Sequence, residues 1–300
     1  MRRTIIATCL LFATCHLLFG QKMVTQLDAN SSVDWTRQVL VATGSSGRLL
    51  HSRDRTERIE ALERAKSVAT QHLLKALEKL PLTASGTILQ RIENNSTLAR
   101  RVRRFVQQFT VTDTRPMSDL SVEVDVELPL LDGLSALFIP DVTGRGPLRL
   151  DDVPRSPLSL LPWPECRAVP EGVQLVIPSQ GLVSYEGNPY TGLIIDASGL
   201  DAKQALLPEI KDIDGRQVYG LNYVDREIAT QLGVVAYRGN LAQAMKDTRT
   251  GRVPLVICGT GVSGSLKSDI VVSENDAVLI HAAAKAQNFL KKCKVIIVID

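Results

Sequence analysis

Three aspartates in the second half of the chain have the type and position to do acid–base chemistry. Asp196 follows an apolar run, and Asp212 and Asp214 stand on either side of Ile213, just before Gly215. Carboxylates that meet in one pocket can transfer protons or bind calcium. The other interpretation is a strand end and a polar hairpin, because the further ligands of a calcium loop are missing. A secreted hydrolase that uses these aspartates is the alternative function, and we predict no metal site.

The stretch 259–264 reads Gly-Thr-Gly-Val-Ser-Gly and matches the glycine pattern of dinucleotide-binding turns. That pattern must open a helix whose N-terminus faces the pyrophosphate. Here the chain continues through residues 265–269 into another predicted strand, Ile270–Ser273. We therefore interpret the glycines as a connection between strands and predict no cofactor and no catalytic residue.

A local cluster of arginines is the strongest charge feature, and its members are Arg91, Arg100, Arg101, Arg103 and Arg104. Such a cluster can bind anionic lipid head groups, lipopolysaccharide phosphates or an acidic partner. It can also be the solvated back of an amphipathic helix. The whole chain carries a net charge of only +3 and 4% aromatic residues. This balance is not typical of nucleic-acid binding, so nucleic acid is not an expected partner.

The N-terminus predicts export. Arg2 and Arg3 precede an uncharged stretch over 4–20, which is typical of a secretory signal peptide cleaved between Gly20 and Gln21. A membrane anchor is a second interpretation, although the stretch is slightly short for a span. Acylation of Cys15 is a third, because residues 11–15 resemble the bacterial lipoprotein signal apart from Thr14.

Cleavage after Gly20 would leave three cysteines, Cys166, Cys258 and Cys293. An oxidising compartment permits a disulfide. Cys258 ends one predicted strand and Cys293 begins another, so the two could be bonded if those strands are neighbours. The alternative is a pair of buried thiols.

Proline marks the boundary between two predicted domains. Half of the 14 prolines fall between Pro140 and Pro170, where they exclude a regular helix or central strand. The predicted organisation is a signal peptide over 1–20, a first domain over 32–137, a linker over 138–171 and a second domain over 172–300. Both domains are expected to be α+β, with helices packed on mixed or antiparallel sheets.

The first domain is predicted to contain two long helices and an alternating strand. Asp54 and Glu57 form a capping box that begins a helix ending near Leu80. A second helix is expected from Leu89 to Phe109. The strict apolar–acidic alternation over 122–128 predicts a half-buried antiparallel strand.

The second domain is predicted to be richer in strands. The expected strands are Val173–Ile177, Leu193–Asp196, Glu209–Ile213, Arg216–Gly220, Val234–Ala236, Leu255–Cys258, Ile270–Ser273 and Val295–Ile299. Asp214-Gly215 predicts a type I′ hairpin turn between two of them. The wholly apolar last strand is expected to be central and buried on both faces.

The first domain, with its Ala-rich helix over 61–80, its Arg-rich second helix and its closing Val-Glu-Val-Asp-Val-Glu-Leu strand, resembles the lipoprotein-20 family. That family includes bacterial outer-membrane lipoproteins and the N-terminal domain of the flagellar protein FlgT. The second domain resembles longer secreted members through 190–196, 214–220 and 270–273. The resemblance implies a helix-on-sheet envelope protein without catalytic residues.

Together these features predict a non-catalytic bacterial cell-envelope protein that acts by binding or assembly, in a surface or motility complex. Its expected place is the periplasm or the outer membrane. Its expected partners are envelope proteins, a second copy of itself, or an anionic envelope surface reached through the arginine cluster.

Overall fold

The computed structural model describes residues 23–47, 55–149 and 190–300, without the side chains of residues 55 and 286. The predicted signal peptide with Cys15, Gly20 and Gln21 lies outside the described residues. So do Asp54, Cys166, most of the predicted linker and the predicted strand Val173–Ile177. The fold is α+β, as predicted, with an antiparallel sheet near the N-terminus and a parallel and a mixed sheet after residue 190.

The first sheet is built from five antiparallel strands. These are β1 (Val24–Asp28), β2 (Ser31–Asp34), β3 (Val39–Ser45), β6 (Thr110–Pro116) and β7 (Val122–Pro129), in the order β1-β2-β3-β7-β6. The predicted alternation is confirmed in β7, where Val124, Val126 and Leu128 are fully buried. The domain was predicted to start at residue 32, so the prediction missed β1. The pairing of β1 with β2 in the folded protein identifies it as a strand.

Helix α1 (Arg55–Lys79) covers one face of this sheet and lies close to β3. Its buried face is built from small residues, including Ala61, Ala65 and Ala69. A Cβ on Gly44 would lie 2.2 Å from the Ala65 carbonyl oxygen. Because Gly44 has no side chain, α1 can pack this close to β3.

The predicted second helix from Leu89 to Phe109 is wrong as one unit. It consists of α2 (Ile88–Glu93) and α3 (Ser96–Val106), which follow the short hairpin of β4 (Pro81–Thr83) and β5 (Gly86–Thr87). The break occurs at Asn95, whose side chain accepts a hydrogen bond from the Leu98 amide at 2.9 Å. Asparagine competes with the helical backbone in this way and begins a new helix.

After residue 190 the main element is a four-stranded parallel sheet. It contains β8 (Gly192–Asp196), β11 (Ala236–Arg238), β12 (Pro254–Cys258) and β15 (Val295–Val298), in the order β11-β15-β8-β12. The prediction for the last strand is confirmed, since β15 is central and each of its residues is buried. Helix α4 (Ser135–Phe138) follows β7, and α5 (Arg226–Leu232) precedes β11. Helix α6 (Leu241–Met245) packs on the parallel sheet, and α7 (Glu274–Gln287) contacts β12.

A smaller mixed sheet contains β9 (Ile210–Lys211), β10 (Gln217–Tyr219), β13 (Gly261–Ser263) and β14 (Asp269–Val271). The glycine-rich stretch is a connection between strands, as expected, because β13 pairs antiparallel with β14. β9 and β10 pair antiparallel, but the predicted type I′ geometry of the turn between them is wrong. Only Gly215 has a positive φ, and its amide donates to the Asp212 carbonyl at 3.0 Å.

We call the described residues up to 149 the first half of the chain and residues 190–300 the second half. The two halves share a continuous hydrophobic core. The Leu206 and Leu207 amides donate to the carbonyls of Pro81 and Leu82 at 3.0 and 2.8 Å, so a loop of the second half extends the β4–β5 hairpin. Within the described residues, no helix is long and apolar enough to span a bilayer.

Candidate functional site

The carboxylate of Asp212 is buried and forms ion pairs with two arginines. It accepts from Arg149 Nη1 at 2.6 Å and from Arg216 Nε at 2.8 Å, and it also accepts from the backbone amides of Asp214 and Arg216. Burial alone would raise the pKa of Asp212, but the hydrogen bonds from Arg216 and Arg149 outweigh it and lower the pKa below 3.8. Asp212 therefore stays ionised as a structural counter-ion and is poorly suited to release or accept a proton near neutral pH.

The other two aspartates of the hydrolase alternative lie in surroundings that differ from those of Asp212. Asp214 is exposed and pairs with Arg216 at 2.7 Å. Asp196 ends β8 in the parallel sheet, and its Oδ1 accepts from the amide and hydroxyl of Ser198. Two cavities among the described residues, of about 630 and 440 Å³, are lined by none of the three.

A network that the sequence did not reveal surrounds Asp212. The Arg149 amide donates to Nδ1 of the fully buried His281 at 3.0 Å, and His281 Nε2 lies 2.8 Å from the Val218 carbonyl oxygen. Because Nδ1 must accept and Nε2 must donate, His281 is held in its neutral form. Burial lowers the pKa of His281 below 6.5, and the Arg149 charge adds to this. No sequence pattern links Arg149 to His281, since they are far apart along the chain.

Neither alternative for Cys258 and Cys293 is correct, because they are not bonded to each other and they are not two free thiols. Cys293 is a free, buried thiol, and burial raises its pKa to about 11. Cys258 is disulfide-bonded, and its partner lies outside the described residues. Cys258 is at the carboxyl end of β12, whereas Cys293 precedes the amino end of β15, and β8 lies between these strands. That arrangement separates the two cysteines by more than about 10 Å, beyond the reach of a disulfide.

Four of the five predicted contact arginines lie together on α3. Arg100, Arg101, Arg103 and Arg104 are all exposed, on the side of the helix opposite its buried Leu98, Val102, Phe105 and Val106. We call these four residues the arginine surface. Arg91 is also exposed, but it lies on α2 and lines a cleft at the junction of the two halves.

The arginine surface has no counter-ion among the described residues, where no carboxylate lies within 4.0 Å of it. Other arginines of the fold are paired, such as Arg37 with Glu127 at 2.6 Å and Arg115 with Asp113 at 2.7 Å. Like charges three or four residues apart on a helix, as at Arg100 and Arg104, destabilise it by about 0.2–0.5 kcal/mol per pair. Arg103 and Arg104 recover part of this cost because they lie in the last turn, at the negative end of the helix dipole.

The described ranges contain no group of three or more His, Cys, Asp or Glu side chains that could bind a metal ion. No curated protein matches the chain. A family model matches residues 192–300, a little over a third of the chain, which begin with β8 and end just after β15. This part of the chain is similar to the family described as the second domain of Tp0624 from the bacterium Treponema pallidum.

Proposed function

We propose that this chain is a non-catalytic bacterial cell-envelope protein that acts by binding, and that the arginine surface is its contact with an anionic envelope surface. The observation that carries the proposal is a helix with four exposed arginines and no counter-ion among the described residues. Unpaired like charges cost stability and give the fold little in return. An anionic surface would supply the missing counter-ions.

Several features support an envelope location. The N-terminal sequence is typical of a signal peptide, and Cys258 is disulfide-bonded, which favours an oxidising compartment. The first half resembles the lipoprotein-20 family, whose members include outer-membrane lipoproteins. Residues 192–300 are similar to a domain of a protein from the bacterium Treponema pallidum, which supports the bacterial part of the proposal. Envelope proteins or a second copy of the chain remain partners within the same proposal, reached through the same surface.

The experiment is binding of the mature protein to vesicles of phosphatidylcholine with and without phosphatidylglycerol, measured by co-sedimentation at several salt concentrations. We expect binding only to the anionic vesicles, and weaker binding as salt rises because the contact is screened. The double variant Arg100→Gln/Arg104→Gln should weaken binding at least tenfold, since each basic residue near an anionic surface contributes about 1 kcal/mol.

The matched control is Lys291→Gln/Lys292→Gln, which removes the same charge from two exposed residues of the second half. It should reduce binding by less than about threefold. Equal losses in the two double variants would show only a net-charge effect and would contradict a specific surface. Absence of binding to anionic vesicles, together with crosslinking of the arginine surface to an acidic envelope protein in cells, would replace the lipid by a protein partner.

A further inference from the structure

A cleft of about 630 Å³ lies where the two halves of the chain meet. The β4–β5 hairpin and α2 form one wall, residues 137–140 form another, and Leu207 and Leu221 contribute from the second half. Its floor is apolar and consists mainly of Leu82, Phe138, Ile139 and Leu207, each at most 8% exposed. Cavities of this size at domain junctions are where small ligands usually bind.

The rim of the cleft is polar and carries a positive charge. Among the described residues that line the cleft, Arg91 is the one that carries a charge, and none is an aspartate or a glutamate. Thr83, Ser85 and Gln90 add hydroxyl and amide groups. Gln90 Oε1 already accepts from the Thr87 amide at 2.9 Å, so the amide NH₂ is the group that Gln90 can offer at the rim.

We propose that this cleft binds an anionic amphiphile, namely a single alkyl chain that ends in a carboxylate or phosphate. The alkyl chain lies on the apolar floor, and the head group pairs with Arg91, which makes no ion pair with any described residue. A guanidinium binds both head groups through two parallel hydrogen bonds. A neutral apolar ligand would leave this cation without a counter-ion.

The cleft goes beyond the proposed function because it does not use the arginine surface. Arg91 lies on α2, and the arginine surface lies on α3 beyond the Asn95 break. If the protein fails to bind vesicles, the proposal for the cleft still stands. If the cleft fails to bind its ligand, the proposal for the arginine surface still stands.

The experiment titrates the mature protein with 11-(dansylamino)undecanoic acid and with its methyl ester, which differs only in having no charge. We expect saturable binding of the acid with one site per chain, and at least tenfold weaker binding of the ester. Dodecanoate and dodecyl phosphate should both displace the probe, and inorganic phosphate should not, which separates an amphiphile from a free anion.

Two variants locate the site. Arg91→Gln should weaken binding of the acid at least tenfold and leave binding of the ester within about twofold. The matched control, Arg252→Gln, removes the same charge from an exposed residue outside the cleft and should change neither. Ser85→Trp, at an exposed turn position, should block both probes by filling the cleft.

Equal affinity for acid and ester, equal effects of Arg91→Gln and Arg252→Gln, or full binding by a folded Ser85→Trp protein would each overturn the proposal. Circular dichroism identifies a Ser85→Trp protein that fails to fold. In that case the comparison between Arg91→Gln and Arg252→Gln decides the result.

Discussion

The indole ring of Trp35 meets the ring of Tyr237 edge to face, with centroids 5.6 Å apart and an angle of 73° between the planes. Trp35 follows β2 of the first sheet and Tyr237 lies in β11 of the parallel sheet, and both are almost fully buried. The pair therefore fixes one half of the chain against the other. Its aromatic contact adds about 0.5–1.5 kcal/mol beyond the burial of the rings.

Tyr237→Phe should destabilise the protein by about 1–3 kcal/mol. The Tyr237 hydroxyl accepts from the Ala205 amide at 3.0 Å and donates to the Ala205 carbonyl at 2.9 Å, so its removal leaves two buried backbone groups unpaired. Urea unfolding followed by circular dichroism measures the change. Tyr223→Phe is the control, because its hydroxyl lies at a partly exposed site where water can replace it. A Tyr237 effect no larger than the Tyr223 effect would contradict this account.

Gly264→Ala should destabilise the protein more than Gly199→Ala does. Both glycines have a φ near +80°, so both substitutions strain the backbone by about 1 kcal/mol. A Cβ at Gly264 would also lie 2.4 Å from the Ala84 Cβ across the junction, whereas a Cβ at Gly199 has no neighbour within 4 Å. Thermal unfolding of the two variants isolates the packing effect. Equal shifts in Tm would mean that the junction is not tightly packed there.

The free energy of unfolding should decrease as the pH falls below about 6.5, because of His281. In this range the unfolded chain binds a proton at His281, whereas burial lowers the pKa in the folded state and keeps the ring neutral. The decrease is at most about 1.4 kcal/mol per pH unit and ends at the folded-state pKa. Above pH 6.5 the ring is neutral in both states and contributes no slope. Urea unfolding between pH 7.5 and 5 measures this dependence.

His281→Gln should remove most of that slope, since an amide can accept from Arg149 and donate to Val218 without titrating. The aspartates with lowered pKa, such as Asp212 and Asp125, act only below about pH 4 and affect both proteins equally. The same slope in the variant and the parent protein would assign the effect to another group.

The protein without residues 1–20 should contain one free thiol, and that thiol should react only after unfolding. Cys293 is fully buried and its pKa is raised to about 11, so little thiolate is available in the folded state. Thiol titration with and without denaturant, repeated on Cys293→Ser, tests this assignment. If residues 1–20 are removed, Cys166 is the one remaining cysteine that can pair with Cys258. Peptide mapping without reduction should then link those two, and a Cys258–Cys293 peptide would contradict the assignment.

Arg100→Gln/Arg104→Gln should raise the Tm at low salt while it weakens binding to anionic vesicles. The two side chains are four residues apart on an exposed helix face, and their repulsion is relieved by the substitution. The gain should be well below 1 kcal/mol and should disappear at high salt. Thermal unfolding at 20 mM and 500 mM salt measures it. A lower Tm in the variant would mean that these arginines stabilise the fold.

Much of the architecture was predictable because periodicity is a local property. The alternation over 122–128 predicts β7, and the apolar run over 295–299 predicts a strand buried on both faces. The exposed arginines of α3 were also predictable, since the buried side of the helix repeats at Leu98, Val102 and Phe105. Competition between a side chain and the helical backbone for hydrogen bonds was harder to predict. The Asn95 side chain ends a helix that the apolar pattern alone would continue.

The sequence by itself determined the strands β7 and β15, where the basic charge is concentrated and which residues could do chemistry. Only the tertiary structure decided which of those residues meet. The parallel order β11-β15-β8-β12 separates Cys258 from Cys293, although both lie at strand ends. Packing of the halves places Arg91 over an apolar cleft, and Arg149 beside His281. The physical reason is that such contacts depend on strand order and burial between residues far apart in the chain, which no local pattern encodes.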